Sequence, residues 1–579
     1  MILQIRRAIL VAVCCIVTGC GDSNNSSSKS SSSGSSGTTT TTTPSLTSAE
    51  TGRFLTQATF GPTQADITAL QSSTFAAWLT SQTAAPVSSP THRAWAEQRV
   101  VQLQAASSTA TLSSSQFYES FWMQAATSPD QLRQRVKYAL SQIFVISLID
   151  PGVDVRGAAS YYDMLGADAF GNFRTMMNDV TYHPMMGVYL TYMSNQKESG
   201  TRTPDQNYAR ELMQLMSIGL FKLNTDGTRQ LDSTGNPIPT YSETDILGLA
   251  KVFTGLGWYS PTPTSTTYTG GNKDPNATVI PMTIYNQFHS ISQKDFLGVS
   301  IPASTIADTA ADVKFALDTI FNHPNVGPFI AYRLIQQLVT SNPTPAYVQR
   351  VATVFNNNGK GVRGDMAAVI TAVLTDTEAR DMTSVSSPSF GKLREPILRL
   401  AHWMRAFSAT SQSGNWLMGS TSANTSLGQS PLTSPSVFNF WPPGYAPPNT
   451  QLASHNLLAP EFQGVGEISV SGYLNTMQST IGSGIGSVPT GGTGTDIQSA
   501  YAQEVAIAND ANALADRMNL LLLYGQMTAT LRQRLVDAIN GVTIPGGTAT
   551  QAQINAALLN RAKIAVFLTM ASPDYLAQR

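Results

Sequence analysis

Carboxylates, histidines and arginines that could share one task gather between His183 and Trp258. The densest group lies in Asn207-Tyr-Ala-Arg-Glu-Leu-Met-Gln-Leu-Met-Ser-Ile-Gly219. Nearly every residue there favours a helix, and Gly219 can take the left-handed conformation that closes one, so the spacing predicts a helix over 205–218. At 3.6 residues per turn, Asn207, Arg210, Glu211 and Gln214 share a stripe. Tyr208, Leu212, Met213, Leu215 and Met216 cover most of the remaining circumference. Such a helix is mostly buried, and its polar stripe must face a partner network, a cleft or a ligand, because an unpaired buried charge is costly.

General acid–base or metal chemistry needs carboxylates and histidines that converge. Glu211 is the candidate base or metal ligand, Arg210 suits an anionic group held bidentately, and His183 and His289 can ligate or shuttle protons. Asn207 and Asp245 join Arg210 as candidate binding residues. His323, Arg333, Arg394 and Glu395 are the other titratable groups inside motifs. In the competing reading, Arg210 and Glu211 pair with buried groups of other helices, for instance Arg394 and Glu395, and lock an apolar bundle. The aromatic–proline segment 438–448 offers Trp441 and Tyr445 either as a rigid recognition surface for a glycan, polymer or partner, or as a stiffened cover over a core edge. His323 before Pro324 reads as a helix cap.

Several chemistries find no motif. There is no Gly-x-Ser-x-Gly elbow, nucleotide-binding glycine loop, Cys-x-x-Cys-His haem motif or His-Glu-x-x-His zinc motif. Asn224, Asp226, Asp232 and Asn236 imitate a calcium loop, but Lys222 and Ser233 stand at its first and last ligand positions. A hairpin about Asp226-Gly227 fits better. No cofactor and no particular metal is named by these residues.

The elements that must position these groups are mostly helices. Helices are predicted through Ser48 to Phe60, then over 65–82, 93–105, 114–126, 129–147, 158–165 and 170–180, with His183 near the cap of a further helix begun by Pro184. Ser242-Glu-Thr-Asp245 resembles a capping box. Further helices are read over 310–322, 326–339, 345–356, 363–375, 395–407, 509–524, 529–540 and 551–570. Residues 259–280, 408–450 and 479–497 read as loops rich in Pro, Gly, Ser or Thr. Strand signals are few, so the class is mainly α, a large multi-helix domain over 47–579, in one body or two lobes, with one or two short hairpins.

Composition bounds the function. Net charge is −1 over 579 residues, so no basic surface argues for nucleic acid. Charged residues make up only 12%, against roughly 25% on average, and Ser, Thr, Asn and Gln must supply surface polarity, which suits an exported protein. Arg6, Arg7, the apolar stretch 8–17 and Ile16-Val-Thr-Gly-Cys20 read as a lipoprotein signal over 1–20, with Cys20 as the lipid-bearing residue. Gly21 after the cysteine favours the outer membrane, and residues 21–46 read as a Ser/Thr-rich tether. The three cysteines all lie within this signal, which leaves no disulfide framework and no thiol nucleophile beyond it.

His183-Pro-Met-Met, Asn207-Tyr-Ala-Arg-Glu-Leu-Met and Val252-Phe-Thr-Gly-Leu-Gly-Trp258 together resemble the bacterial family known as domain of unknown function 1800. So do Ala58-Thr-Phe-Gly-Pro62, Arg333-Leu-Ile-Gln336, Lys392-Leu-Arg-Glu-Pro396, Phe440-Trp-Pro-Pro-Gly-Tyr445 and Ser572-Pro-Asp-Tyr575. Some relatives carry a His-Asn-His run where this chain has Ala139-Leu-Ser-Gln-Ile-Phe144, so a histidine metal site there is not carried over. The resemblance implies a mainly helical fold, an exported setting and a sulfatase-like partner protein, and it brings no established activity. Two function classes follow. One is an outer-membrane lipoprotein that binds or assembles with a co-expressed partner; the other is an envelope hydrolase, metal-assisted or not, using Glu211 with His183 or His289. The first is favoured because no complete catalytic motif is present.

Overall fold

With few charges to spend, this chain starts its helices on hydroxyls. Thr47, Thr63, Ser242 and Thr550 each cap a helix and are answered by Glu50, Asp66, Asp245 and Gln553 three positions on, closing reciprocal capping boxes. A computed structural model describes residues 46–579; the signal, Cys20 and the tether through residue 45 lie outside the described residues. Among those described there are 25 α-helices and four two-stranded antiparallel sheets, a mainly α protein. None of these helices is long and apolar enough to cross a membrane.

The core is one contiguous apolar cluster running from Phe54 to Tyr575. Trp122 and Trp403 are fully buried within it, each worth about 3 kcal/mol in removed apolar surface. The indole N–H of Trp403 donates to Tyr501 at 2.9 Å, so its one polar atom is satisfied. The short sheets act as clips: Lys392-Leu393 pairs with Ala577-Gln578, and Lys294–Phe296 pairs with Val299–Ile301.

Several expected elements change shape. The helix read over 65–82 splits into Gln64–Gln71 and Phe75–Ala84, because Thr74 caps a new start. The helix read over 129–147 is Gln131–Ser141, and Arg133 and Arg135 are buried with the rest of it. The central helix is shorter, Asn207–Gln214. Asp205 takes the Asn207 N–H at its start, and Gly219, at φ +72°, donates back to Met213 in a wide closing turn. The Asp226-Gly227 hairpin is the first half of a three-armed meander, with bridges 223–229, 231–237 and 221–239. The loop 259–280 contains a short helix, Ser265–Tyr268. Helix Glu467–Ser483, which packs through Tyr473, Met477 and Ile481, was not anticipated.

Candidate ligand-binding site

Glu395 precedes helix Pro396–Ala406 but makes no cap bond with its side chain. The carboxylate turns inward instead. Its Oε2 accepts from Tyr138 Oη at 2.6 Å, Gln142 Nε2 at 2.8 Å and Gln429 Nε2 at 2.9 Å. Its Oε1 has no hydrogen-bond partner and lies 3.9 Å from Lys392 Nζ. That ammonium donates to the Gln336 and Gln337 carbonyls at 2.9 and 3.1 Å and meets Glu461 Oε1 at 3.0 Å. Arg135 reaches the Gln337 carbonyl with Nη2 and leaves Nε and Nη1 without a partner. Two carboxylates, a lysine and an arginine are thus buried together, in a place where charges are stable only when paired and hydrogen-bonded.

A cavity of about 50 Å³ adjoins this cluster, its lining including Gln142, Gln336, Gln337, Asn439, Trp441, Glu461, Arg333 and Phe438. Asn439 donates to Gln142 at 2.8 Å, and Gln336 donates to the Ser341 and Pro443 carbonyls, which ties the aromatic–proline segment to helix Val326–Leu338. Glu461 and Gln337 belong to this lining, and each keeps one buried side-chain oxygen, Oε2 and Oε1, without a protein partner. Each such buried atom costs about 1–3 kcal/mol when unsatisfied. Keeping several beside one cavity marks a place built to receive polar groups. Burial raises the Glu461 carboxyl above its usual range; Lys392 pulls it down and Glu395 pushes it up. Burial and the neighbouring Glu395 hold the Tyr138 phenol well above its ordinary value, which keeps it a donor.

Two wider grooves share lining residues with the cavity. One, about 460 Å³, shares Leu215, Arg333, Phe438 and Pro443 with it; the other, about 420 Å³, shares Trp441 and Glu461. These volumes suit small ligands or one segment of a longer one.

The residues predicted from the sequence scatter around this centre. Trp441 is in the wall, nearly buried. Tyr445 sits half-buried beyond it, its carbonyl accepting from Ala459 N at 2.8 Å. Glu211 is buried with Oε2 unpartnered, and burial raises its carboxyl while Arg210 draws it down. His183 caps helix Pro184–Tyr189, with Nδ1 accepting from Met185 N at 3.2 Å and Nε2 unpartnered; burial pushes its imidazole down to about 3. His289 goes elsewhere: Nδ1 faces the Thr254 carbonyl at 2.7 Å and Nε2 faces Asp312 at 2.9 Å, where Lys294 also pairs. No hydrogen bond joins Glu211 to either histidine. Asp245 is occupied in its capping box and by the Leu297 N–H at 2.6 Å. Asn207 donates weakly to Thr191 at 3.4 Å, and Arg210, part-exposed, pairs with Glu243 at 3.6 Å.

The expected pairing of Arg210 and Glu211 with Arg394 and Glu395 does not form. Glu395 belongs to the cavity cluster, and Arg394 stacks on Tyr575 and meets His402 at 3.1 Å. His323 ends helix Thr309–Asn322, and its Nδ1 accepts from Asn325 N at 3.1 Å. Among the described residues no group of three or more His, Cys, Asp or Glu is placed to hold a metal ion.

The sequence reading passed over Lys392, Glu461, Arg135, Gln142, Gln337, Gln429 and Asn439 as site residues. A signal for some of them was present: Arg333 to Gln336, Lys392 to Pro396 and Phe440 to Tyr445 all stood out as short motifs, and they converge on this cavity. Nothing marked Glu461. The arrangement can bind hydroxyl and amide groups through carboxylate and amide side chains, and it can move a proton at Glu461. The family described as "Protein of unknown function (DUF1800)" matches residues 53–577. No curated protein and no solved structure is significantly similar to the chain.

Proposed function

The chain belongs to the family described as protein of unknown function (DUF1800), and from that premise we propose that it is a binding protein of the bacterial cell envelope whose ligand is a glycan. The carrying observation is the small cavity whose lining joins Trp441 to Glu461 and Gln337, each of the latter two with a buried side-chain oxygen lacking a protein partner. Sugar hydroxyls both donate and accept, and the apolar faces of sugar rings rest on aromatic side chains; the cavity and its rim present both kinds of contact. In this reading Cys20 carries lipid and holds the domain at the outer membrane, where it works beside a sulfatase-like partner. Trp441 serves the wall, Tyr445 stands outside the lining, and Asn207, Arg210 and Asp245 are spent on local structure.

Calorimetric titration of the purified protein with neutral and acidic oligosaccharides tests the reading. We expect saturable binding that Trp441→Ala and Glu461→Gln each weaken about tenfold, or about 1.4 kcal/mol. Absence of saturable binding across the set, or variants that bind like the parent, would refute it. Replacement of Cys20 by alanine should move the exported protein from the membrane to the soluble fraction.

A second reading, an envelope hydrolase, is favoured by one observation: Glu461 is a buried carboxyl with a raised pKa that faces a cavity beside Lys392. There it would act as proton donor. Glu211 shares the raised, unpartnered state at a separate location. Release of shorter products from a bound oligosaccharide, lost in Glu461→Gln, would favour this reading over simple binding.

A further inference from the structure

The groove of about 460 Å³ beside the cavity has a one-sided charge. Its wall holds Arg229 and Arg333 and not one aspartate or glutamate. The Arg333 guanidinium lies 5.0 Å from the ring centre of Phe329 and donates to Gln336 at 3.1 Å. The Arg229 guanidinium lies 4.7 Å over Phe221. Neither has a carboxylate partner among the described residues. Stacking holds each guanidinium by its face and leaves N–H edges for a planar anion. Burial pushes Arg333 down to about 10, so it stays a cation at neutral pH in a place where a cation without a counterion is unfavourable.

The rest of the wall mixes aromatic rings and prolines, Phe221, Phe329, Tyr332, Phe438, Pro442 and Pro443 among them, with leucines, glycines and Gln214. Prolines offer no backbone N–H, so an extended acidic peptide would find few main-chain donors there. Sugar rings need none, since their C–H faces stack on aromatic rings. The cavity shares Arg333 and Phe438 with the groove, and its lining includes Gln142, Gln336, Asn439 and Glu461, whose polar side chains suit hydroxyl groups.

Resting on the glycan reading above, we infer that the groove takes an acidic oligosaccharide, with a uronate carboxylate on Arg333, a second one toward Arg229, and hydroxyls of the terminal unit in the cavity. The test is titration with trigalacturonate and with its neutral methyl ester, at low and high salt. The expected result is binding of the acid at least tenfold tighter than the ester, a preference that shrinks with salt and is lost in Arg333→Gln. Arg229→Gln, at an exposed position, should weaken the acid about threefold and spare the ester, and it carries the test if Arg333→Gln fails to fold. If the ester binds as tightly as the acid, the acidic inference falls and the glycan reading stands. If poly-glutamate binds and neither sugar does, both fall in favour of a peptide ligand. If nothing binds, the acidic inference falls, and the glycan reading is decided by the wider oligosaccharide set.

Discussion

Glu211 is held at a cost that its neighbours do not relieve. Its Oε2 is buried without a partner, and Arg210, the nearest cation, swings out to a part-exposed pairing with Glu243 at 3.6 Å. An ion pair at such a surface contributes little. Burial raises the Glu211 carboxyl, so its ionised form destabilises the fold at neutral pH. Glu211→Gln keeps the shape without the charge and should be as stable as the parent or about 1 kcal/mol more stable at pH 7. For a carboxyl raised in the folded state, the penalty exists above the folded pKa and vanishes as pH falls toward the ordinary value of 4.5, so parent and variant should converge there. Melting curves at pH 7 and 4.5 check this. A drop of several degrees in the variant at pH 7 would reveal a buried pairing that the geometry does not contain.

Helix Glu243–Val252 lies so close to strand Lys294–Phe296 that a methyl group on Gly248 would come within 1.8 Å of the Asp295 carbonyl oxygen. Helix propensity favours alanine there by about 1 kcal/mol. Packing should win: Gly248→Ala is expected to destabilise by about 3 kcal/mol, because the obstacle is backbone and not a side chain that can turn away. A lower urea midpoint checks the sign, and an unchanged or raised midpoint would show that helix and strand separate easily. This level of structure is where the sequence was most legible. Helices Pro345–Asn356, Ala529–Asn540 and Gln551–Met570 fall within the residues read from periodicity and caps. Glu467–Ser483 escaped because its Ser, Gly and β-branched residues have weak intrinsic helicity, and contact with helix Gln551–Met570 supplies what propensity does not. The cavity was legible only as scattered short motifs. Glu395 looked like one more helix start, and nothing local to Glu461 says that Lys392 will lie 3.0 Å away. His289 illustrates the reverse error, a histidine in a motif whose ring nitrogens are taken up by Thr254 and Asp312.

Across the whole molecule, burial sets an unusual pH response. His183 and His402 are pushed down to about 3 and His323 to about 4, with His92 also lowered; burial is the leading cause for each. A base whose folded pKa is depressed leaves the unfolded chain holding the extra proton, so stability is lost as pH falls below 6.5 toward those values, by up to about 1.4 kcal/mol per pH unit for each fully buried group. Asp168, raised by burial to about 7, works the other way over the same range, as do Glu211 and Glu461 more weakly. Lys137, buried against His92 and pushed down to about 8, adds stability as pH climbs from 8 to its ordinary 10.5. Chemical denaturation at pH 5, 7 and 9 should therefore find the protein weakest at 5 and at least as stable at 9 as at 7, and a maximum at or below pH 6 would contradict the balance. The cavity adds one more property at this scale. Its hydrogen bonds join Gln142 to Glu395 across 253 positions and to Asn439 across 297. No fragment that ends before Glu461 or begins after Gln142 can hold the whole cavity wall, so ligand binding would report that segments this far apart in the chain had folded together.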